Sequence, residues 1–161
     1  MEYCRVCGTL LEMRHHPTEG RDVPYCTHCQ EYRFPMYNVA VSMVVQNEDG
    51  QILLIQQYGR PRYILVAGYV NQGEAAEDAV RRELMEETGL QVKSCHFNKS
   101  KYFPPSNTLM LNFAVTVAGE LHPNEEIDAY QWFSKEESKK AIYEGSLAEE
   151  FLLHYLGGHT E

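Results

Sequence analysis

Residues 68–90 read GYVNQGEAAEDAVRRELMEETGL, and this stretch decides the fold. Residues 74–88 have the composition of a helix, and Gly89 stands where a helical stop belongs. At ~100° per residue, Ala76, Ala79 and Val80 fall on one side. Glu83, Glu86 and Glu87 fall on that same side, within or at the edge of the apolar stripe, while Glu77, Asp78, Arg81, Arg82 and Thr88 point the other way. Three carboxylates facing inward would repel one another and lose hydration. Cations among them remove the conflict, and oxygen ligands at i, i+3 and i+4 suit hard ions such as Mg2+ or Mn2+. Arg82, one turn before Glu86, is placed to orient it by a bidentate contact. Gly68 and Gly73 bracket a tight loop that lets backbone carbonyls approach a metal or phosphate. A solvated charge run is the plainer alternative, but it does not explain carboxylates on a face shared with alanines and a valine.

Working outward, the segment 37–46 (YNVAVSMVVQ) is β-branched and apolar, as a buried strand requires. Asp49-Gly50 ends a hairpin turn, and 52–56 returns as a second strand. Residues 58–62 (YGRPR) read as a loop and 63–67 as a short strand. Beyond the helix, strands are expected at 91–102, 109–118 and 129–133, with a turn at 103–107. Ser134 with Glu137, and Ser146 with Glu149, each have the spacing of a capping box. These elements predict an α/β (α+β) fold over residues 35–161.

Residues 1–34 differ in composition and carry two Cys-x-x-Cys pairs, Cys4/Cys7 and Cys26/Cys29, separated by 18 residues. Four thiolates at about 2.3 Å complete a tetrahedral Zn2+ and leave no open position for chemistry. The metal replaces a core that so short a segment does not build. Two disulfides, or unrelated thiols, are the alternatives. His15, His16 and His28 are surplus to a four-cysteine site. Arg5, Arg14, Arg21 and Arg33 face five acids (Glu2, Glu12, Glu19, Asp22, Glu31), so this small zinc ribbon has no basic footprint for nucleic acid.

The whole chain of 161 residues has a formal net charge of -9, which does not attract a DNA backbone. It has no apolar run of about 20 residues and no secretory pattern at its start, so a cytoplasmic protein without a membrane span is expected.

The segment 68–90 resembles the Nudix box, G-x5-E-x7-R-E-U-x-E-E-x-G-U, where U is a bulky aliphatic residue. Gly68, Glu74, Arg82, Glu83, Leu84, Glu86, Glu87, Gly89 and Leu90 match every specified position. The chance of such a match at one site is on the order of 10^-9 or less. The resemblance implies a mixed sheet sandwiched between helices, and a hydrolase that cuts a nucleoside diphosphate linked to another moiety with Mg2+ or Mn2+. It implies that Glu83, Glu86 and Glu87 ligate metal, with help from Glu74 and the Gly68 carbonyl, and that Arg82 orients a glutamate. Glu126, six residues before Trp132-Phe133, is the candidate general base or further ligand; a surface glutamate beside Glu125 is the alternative.

A zinc ribbon followed by a Nudix domain resembles the bacterial NAD(H) diphosphatases, some of which remove NAD caps from RNA. Their motif S-Q-P-W-P-F-P-x-S, followed by Leu-Met, is similar to residues 100–110 here, SKYFPPSNTLM. Ser100, Pro104, Leu109 and Met110 are kept, Phe103 replaces one aromatic, and the Gln and two prolines are lost. Asn71 stands where that group commonly has a glutamate. The resemblance makes Tyr69, Phe103 and Ser100 candidate substrate contacts, Tyr69 by stacking; core packing of Tyr69 and Phe103 is the alternative. It also implies a homodimer. An ADP-ribose or nucleoside triphosphate pyrophosphatase, and a non-catalytic nucleotide- or RNA-binding module, remain open alternatives.

Overall fold

A computed structural model describes residues 2–157. The chain divides into two compact units, residues 1–37 and 38–161.

The first unit is a three-stranded antiparallel sheet of β1 (Glu12–His16), β2 (Arg21–Cys26) and β3 (Glu31–Tyr32), in the order β1-β2-β3. Its buried apolar residues are Val23, Cys4 and Cys26. That is too little to hold three short strands without a cross-link.

The second unit is built on β4 (Asn38–Gln46), which lies parallel to β8 (Thr108–Ala118). On its other side β4 pairs antiparallel with β6 (Val66–Tyr69) and, at Gln46, with β5 (Ile52–Gln57). β7 (Gln91–Phe103) and β9 (Ile127–Phe133) extend the mixed sheet as antiparallel neighbours of β8 and β5. Side chains alternate across the pleat. Val41, Met43, Val45, Leu53 and Ile55 meet Ala79, Val80 and Leu84 of α1 (Ala76–Thr88). Val44, Ile52 and Leu54 meet Phe151 and Leu152 of α3 (Leu147–Leu156) on the opposite face. The sheet is therefore sandwiched between helices, as expected. A short α2 (Lys135–Ala141) precedes α3 and opens on a full Ser134–Glu137 capping box. At α3 only half of the box forms, because the Glu149 carboxylate accepts from the Gly145 N–H instead.

The structure changes four local expectations. The run 63–67 does not act as one strand: Ile64 bridges to Ile55 and Tyr63 to Ile142, and pairing with β4 begins at Val66. α1 starts at Ala76 rather than Glu74, because the Glu74 carboxylate turns back to the Asn71 N–H and to Arg82. β9 starts two residues earlier than 129. Thr88 does not point outward; it is fully buried and its hydroxyl donates to the Leu84 carbonyl. Among the described residues no helix is long and apolar enough to cross a membrane.

Candidate active site

Two contacts set the position of the box carboxylates. The Glu83 side chain lies directly on Gly68 of β6, where an added Cβ would meet Glu83 Cδ at 2.0 Å. A larger residue at position 68 would have to push that carboxylate aside. Arg82 then ties the loop to the helix. Its Nε and Nη2 donate to the two carboxylate oxygens of Glu74 (2.7 and 2.9 Å), its Nη1 donates to Glu83 (2.6 Å) and Glu86 (3.2 Å), and its Nη2 also reaches the Tyr69 carbonyl (3.0 Å). The bidentate partner of Arg82 is thus Glu74, eight residues away through a returning loop, rather than Glu86 on the next turn. The Arg82 guanidinium and the Asn71 N–H hold the Glu74 carboxyl down to about 2.

Glu87 is the buried member of the set, with 4% of its surface exposed. Gln57, at the end of β5, donates to it at 3.1 Å. Burial and the neighbouring charges of Glu83 and Glu126 push the Glu87 carboxyl up to about 7. Glu86 departs from the expected inward side: its side chain is 58% exposed and joins the set only through Arg82, because its place at the margin of the apolar stripe is not covered by the sheet.

The loop after β8 brings in Glu126. It caps the C-terminal end of α1: the His122 and Asn124 N–H groups donate to the Thr88 and Glu87 carbonyls (2.8 and 2.9 Å). Gly89 closes the same end in the left-handed conformation. Glu126 is then met by the Tyr58 hydroxyl (3.2 Å). Tyr58 has a φ of 56°, unusual for an aromatic residue, and the turn is held by the Gly59 N–H donating to Asp128 (2.7 Å).

Glu83, Glu87, Glu126, Tyr58, Gly68 and Tyr69 line one cleft of about 390 Å3, together with Asn71, Thr108 and Met110. Phe103 lines a neighbouring cavity instead, and Ser100 is exposed on β7 opposite Leu111 and lines neither. Gln57 and Tyr58 escaped the sequence reading. The one available signal was the polar-aromatic-glycine ending, QQYG, of an otherwise apolar strand.

The donor set fits divalent cations. Glu87, in the folded protein, carries a raised carboxyl among like charges, and a hard cation among all-oxygen donors relieves that repulsion.

In the first unit, the ligand atoms of Cys4, Cys7, Cys26 and Cys29 all lie within 4.8 Å of one another. Sγ–Sγ separations are 3.9 Å for Cys4–Cys29 and 3.5 Å for Cys7–Cys26. Ligands sharing a tetrahedral zinc stand about 3.8 Å apart, whereas a disulfide needs about 2.05 Å. All four are free thiols, which sets the disulfide alternative aside. Arg33 Nε donates to Cys4 and lowers its thiol to about 5, while the hydrogen bond with Cys7 and burial push Cys29 up to about 12. A dication lets all four ionise together. The cluster fits a zinc ribbon.

A family profile described as NUDIX domain matches residues 36–153. The NAD-capped RNA hydrolase NudC of Photobacterium profundum is 32% identical over 153 residues, covering 91% of this chain and 54% of that protein. The protein of the same name from Pseudomonas aeruginosa is 31% identical, covering 96% of this chain and 55% of that protein. The chain thus spans about half the length of the curated relatives it matches. Among solved structures, a NUDIX hydrolase from Nitrosomonas europaea superimposes with a TM-score of 0.71 at 18% identity, covering 99% of this chain and 94% of that one, a likeness of fold. With every specified box position filled and the profile spanning most of its length, the chain belongs to the Nudix family.

Proposed function

We propose that this chain is a metal-dependent Nudix hydrolase that cuts the diphosphate link of a nucleotide derivative, and that its preferred substrate is an NAD(H)-type dinucleotide, split into two mononucleotides. The observation that carries the reading is the buried Glu87, packed beside Glu83 and lining a cleft with Glu126. Curated relatives named as NAD-capped RNA hydrolases support the substrate class, and the same bond in capped RNA falls within it.

Glu83, Glu86 and Glu87, with the Gly68 carbonyl, would hold Mg2+ or Mn2+. When bound, such ions neutralise the diphosphate and lower the pKa of a nearby water. Glu74 acts through Arg82, fixing the guanidinium that in turn orients Glu83. Glu126 accepts the attacking water's proton on the oxygen not taken by Tyr58. Tyr69 offers an exposed ring at the cleft for stacking on a base or nicotinamide. The four cysteines hold a structural Zn2+.

A panel of NADH, ADP-ribose and nucleoside triphosphates, each with Mg2+ and with Mn2+, tests the reading. AMP plus reduced nicotinamide mononucleotide from NADH is the expected product pair. Ribose 5-phosphate or pyrophosphate as the main product moves the assignment to the other pyrophosphatases. Ligand binding without turnover of any diphosphate overturns the enzyme reading.

A further inference from the structure

The loop YGRPR, between β5 and β6, carries two arginines that the proposed chemistry does not use. Arg60 and Arg62 line a second cavity of about 510 Å3, which shares Tyr58, Ala67 and Met110 with the acidic cleft. The two spaces are therefore neighbours that share part of their walls. The floor of the second cavity is apolar, formed by Leu65, Phe151 and Phe103 among others, and among the described residues no aspartate or glutamate lines it.

The charge arrangement is unusual for this chain. It has 23 acidic residues against 14 lysines and arginines. The other two arginines of the second unit, Arg81 and Arg82, are both paired with carboxylates. Among the described residues, Arg60 and Arg62 have no carboxylate within ion-pair distance. Of the acids adjoining the lining residues in sequence, Glu149 turns onto the Gly145 N–H at 2.7 Å, Glu150 pairs with Lys99 and Lys101, and Glu144 forms no ion pair with either arginine among the described residues.

The Arg62 side chain and the Arg60 backbone are also held in place. The Arg62 guanidinium lies 4.5 Å from the centroid of the Tyr143 ring, and the Tyr143 N–H donates to the Tyr63 carbonyl (2.8 Å). Pro61 restricts the backbone between the two arginines, and the Arg60 N–H donates to the carbonyl of Gln57, the partner of Glu87. Two arginines lining one cavity without a carboxylate partner suit a phosphate oxyanion.

We infer that Arg60 and Arg62 form a second anion subsite, which takes a phosphate carried by the substrate beyond the scissile diphosphate and so sets specificity. This rests on the proposed diphosphatase reading for the identity of the first subsite. The phosphate is a monoester on a ribose hydroxyl or the next phosphodiester of an RNA chain; both present the same oxyanion.

The test is calorimetric binding to the full, zinc-loaded chain with Mg2+. The probes are AMP, adenosine 2′,5′-bisphosphate, adenosine 3′,5′-bisphosphate and the dinucleotide pApA. Wild type should bind at least one of the three phosphate-extended probes about tenfold tighter than AMP, and Arg60→Gln, Arg62→Gln and the double variant should lose that ratio stepwise. Because each ratio is taken within one variant, a general loss of folding cancels, and Arg60→Gln alters an exposed side chain. A gain with a bisphosphate identifies a phosphorylated small nucleotide; a gain with pApA alone identifies RNA. Equal affinity of wild type for all four probes, no binding at all, or an unchanged ratio in the double variant overturns the inference. NADH turnover is scored separately. Turnover with a ratio of one removes the subsite alone, and an arginine-dependent ratio without turnover of any diphosphate removes the diphosphatase reading alone.

Discussion

The Glu83 carboxylate lies so close to the α-carbon of Gly68 that a single methyl group at position 68 would overlap it. β6 and α1 are thereby brought into direct contact at this point. Gly68→Ala should displace Glu83, lowering turnover by roughly 10–100-fold through lost metal affinity. Stability should change little, because the group displaced is the mobile end of the Glu83 side chain rather than backbone. Steady-state kinetics against Mn2+ concentration, with a denaturation curve, measures both. An alanine variant with the wild-type metal dependence would show that the contact is incidental.

Glu87→Gln should abolish turnover and stabilise the metal-free protein. The carboxyl titrates near 4.5 in the unfolded chain and at about 7 in the fold. Between those values the native state holds more protons, so this group's contribution to stability falls as pH rises from about 5 to about 7, then stays flat. The stability difference between the variant and wild type should therefore widen across that window in urea titrations. A difference independent of pH would contradict the burial cause. For the same reason, metal binding to wild type should release a proton below pH 7, tighten as pH rises toward about 7 and then level off.

Arg82→Lys should cost about 100-fold in turnover, because a point charge does not span Glu74, Glu83 and the Tyr69 carbonyl together. Glu74→Gln tests the anchor separately. The Glu74 carboxyl is lowered from 4.5 to about 2, so the stability it contributes is present above 4.5 and is lost as pH falls toward 2. Acid titration of wild type should show that loss, and Glu74→Gln should be less sensitive over the same range. Parallel curves would argue against the Arg82–Glu74 pair as a folded-state anchor.

Zinc removal should act on the first unit's fold rather than on the hydrolytic step. Elemental analysis should find one zinc per chain in wild type and a marked loss in Cys29→Ala. Hydrogen exchange in β1 and β2 should accelerate on chelation, since Val23, Cys4 and Cys26 alone bury little. Unchanged protection after complete zinc loss would contradict a structural metal.

Much of this was legible because the box is local. The inward turn of Glu83 and Glu87 follows from helical periodicity, and Gly68 and Gly73 mark the returning loop. What the periodicity missed lies at the end of α1. A helical wheel assumes one buried side, yet the loop through His122 and Asn124 also covers the other side, burying Thr88. Arg82 reaches Glu74 through a backbone reversal that wheel geometry does not represent. Tyr58 and Glu126 are 68 residues apart, and Gln57 and Glu87 are 30 apart, so these contacts arise only once β5, α1 and the loop before β9 are assembled.

The most direct test of the carboxylate cage is Mn2+ binding followed by electron paramagnetic resonance on the zinc-loaded protein at pH 8. Wild type should bind Mn2+, and Glu83→Gln and Glu87→Gln should each weaken that binding tenfold or more, with NADH hydrolysis falling in parallel. Undiminished Mn2+ binding and wild-type hydrolysis in both variants would contradict the account.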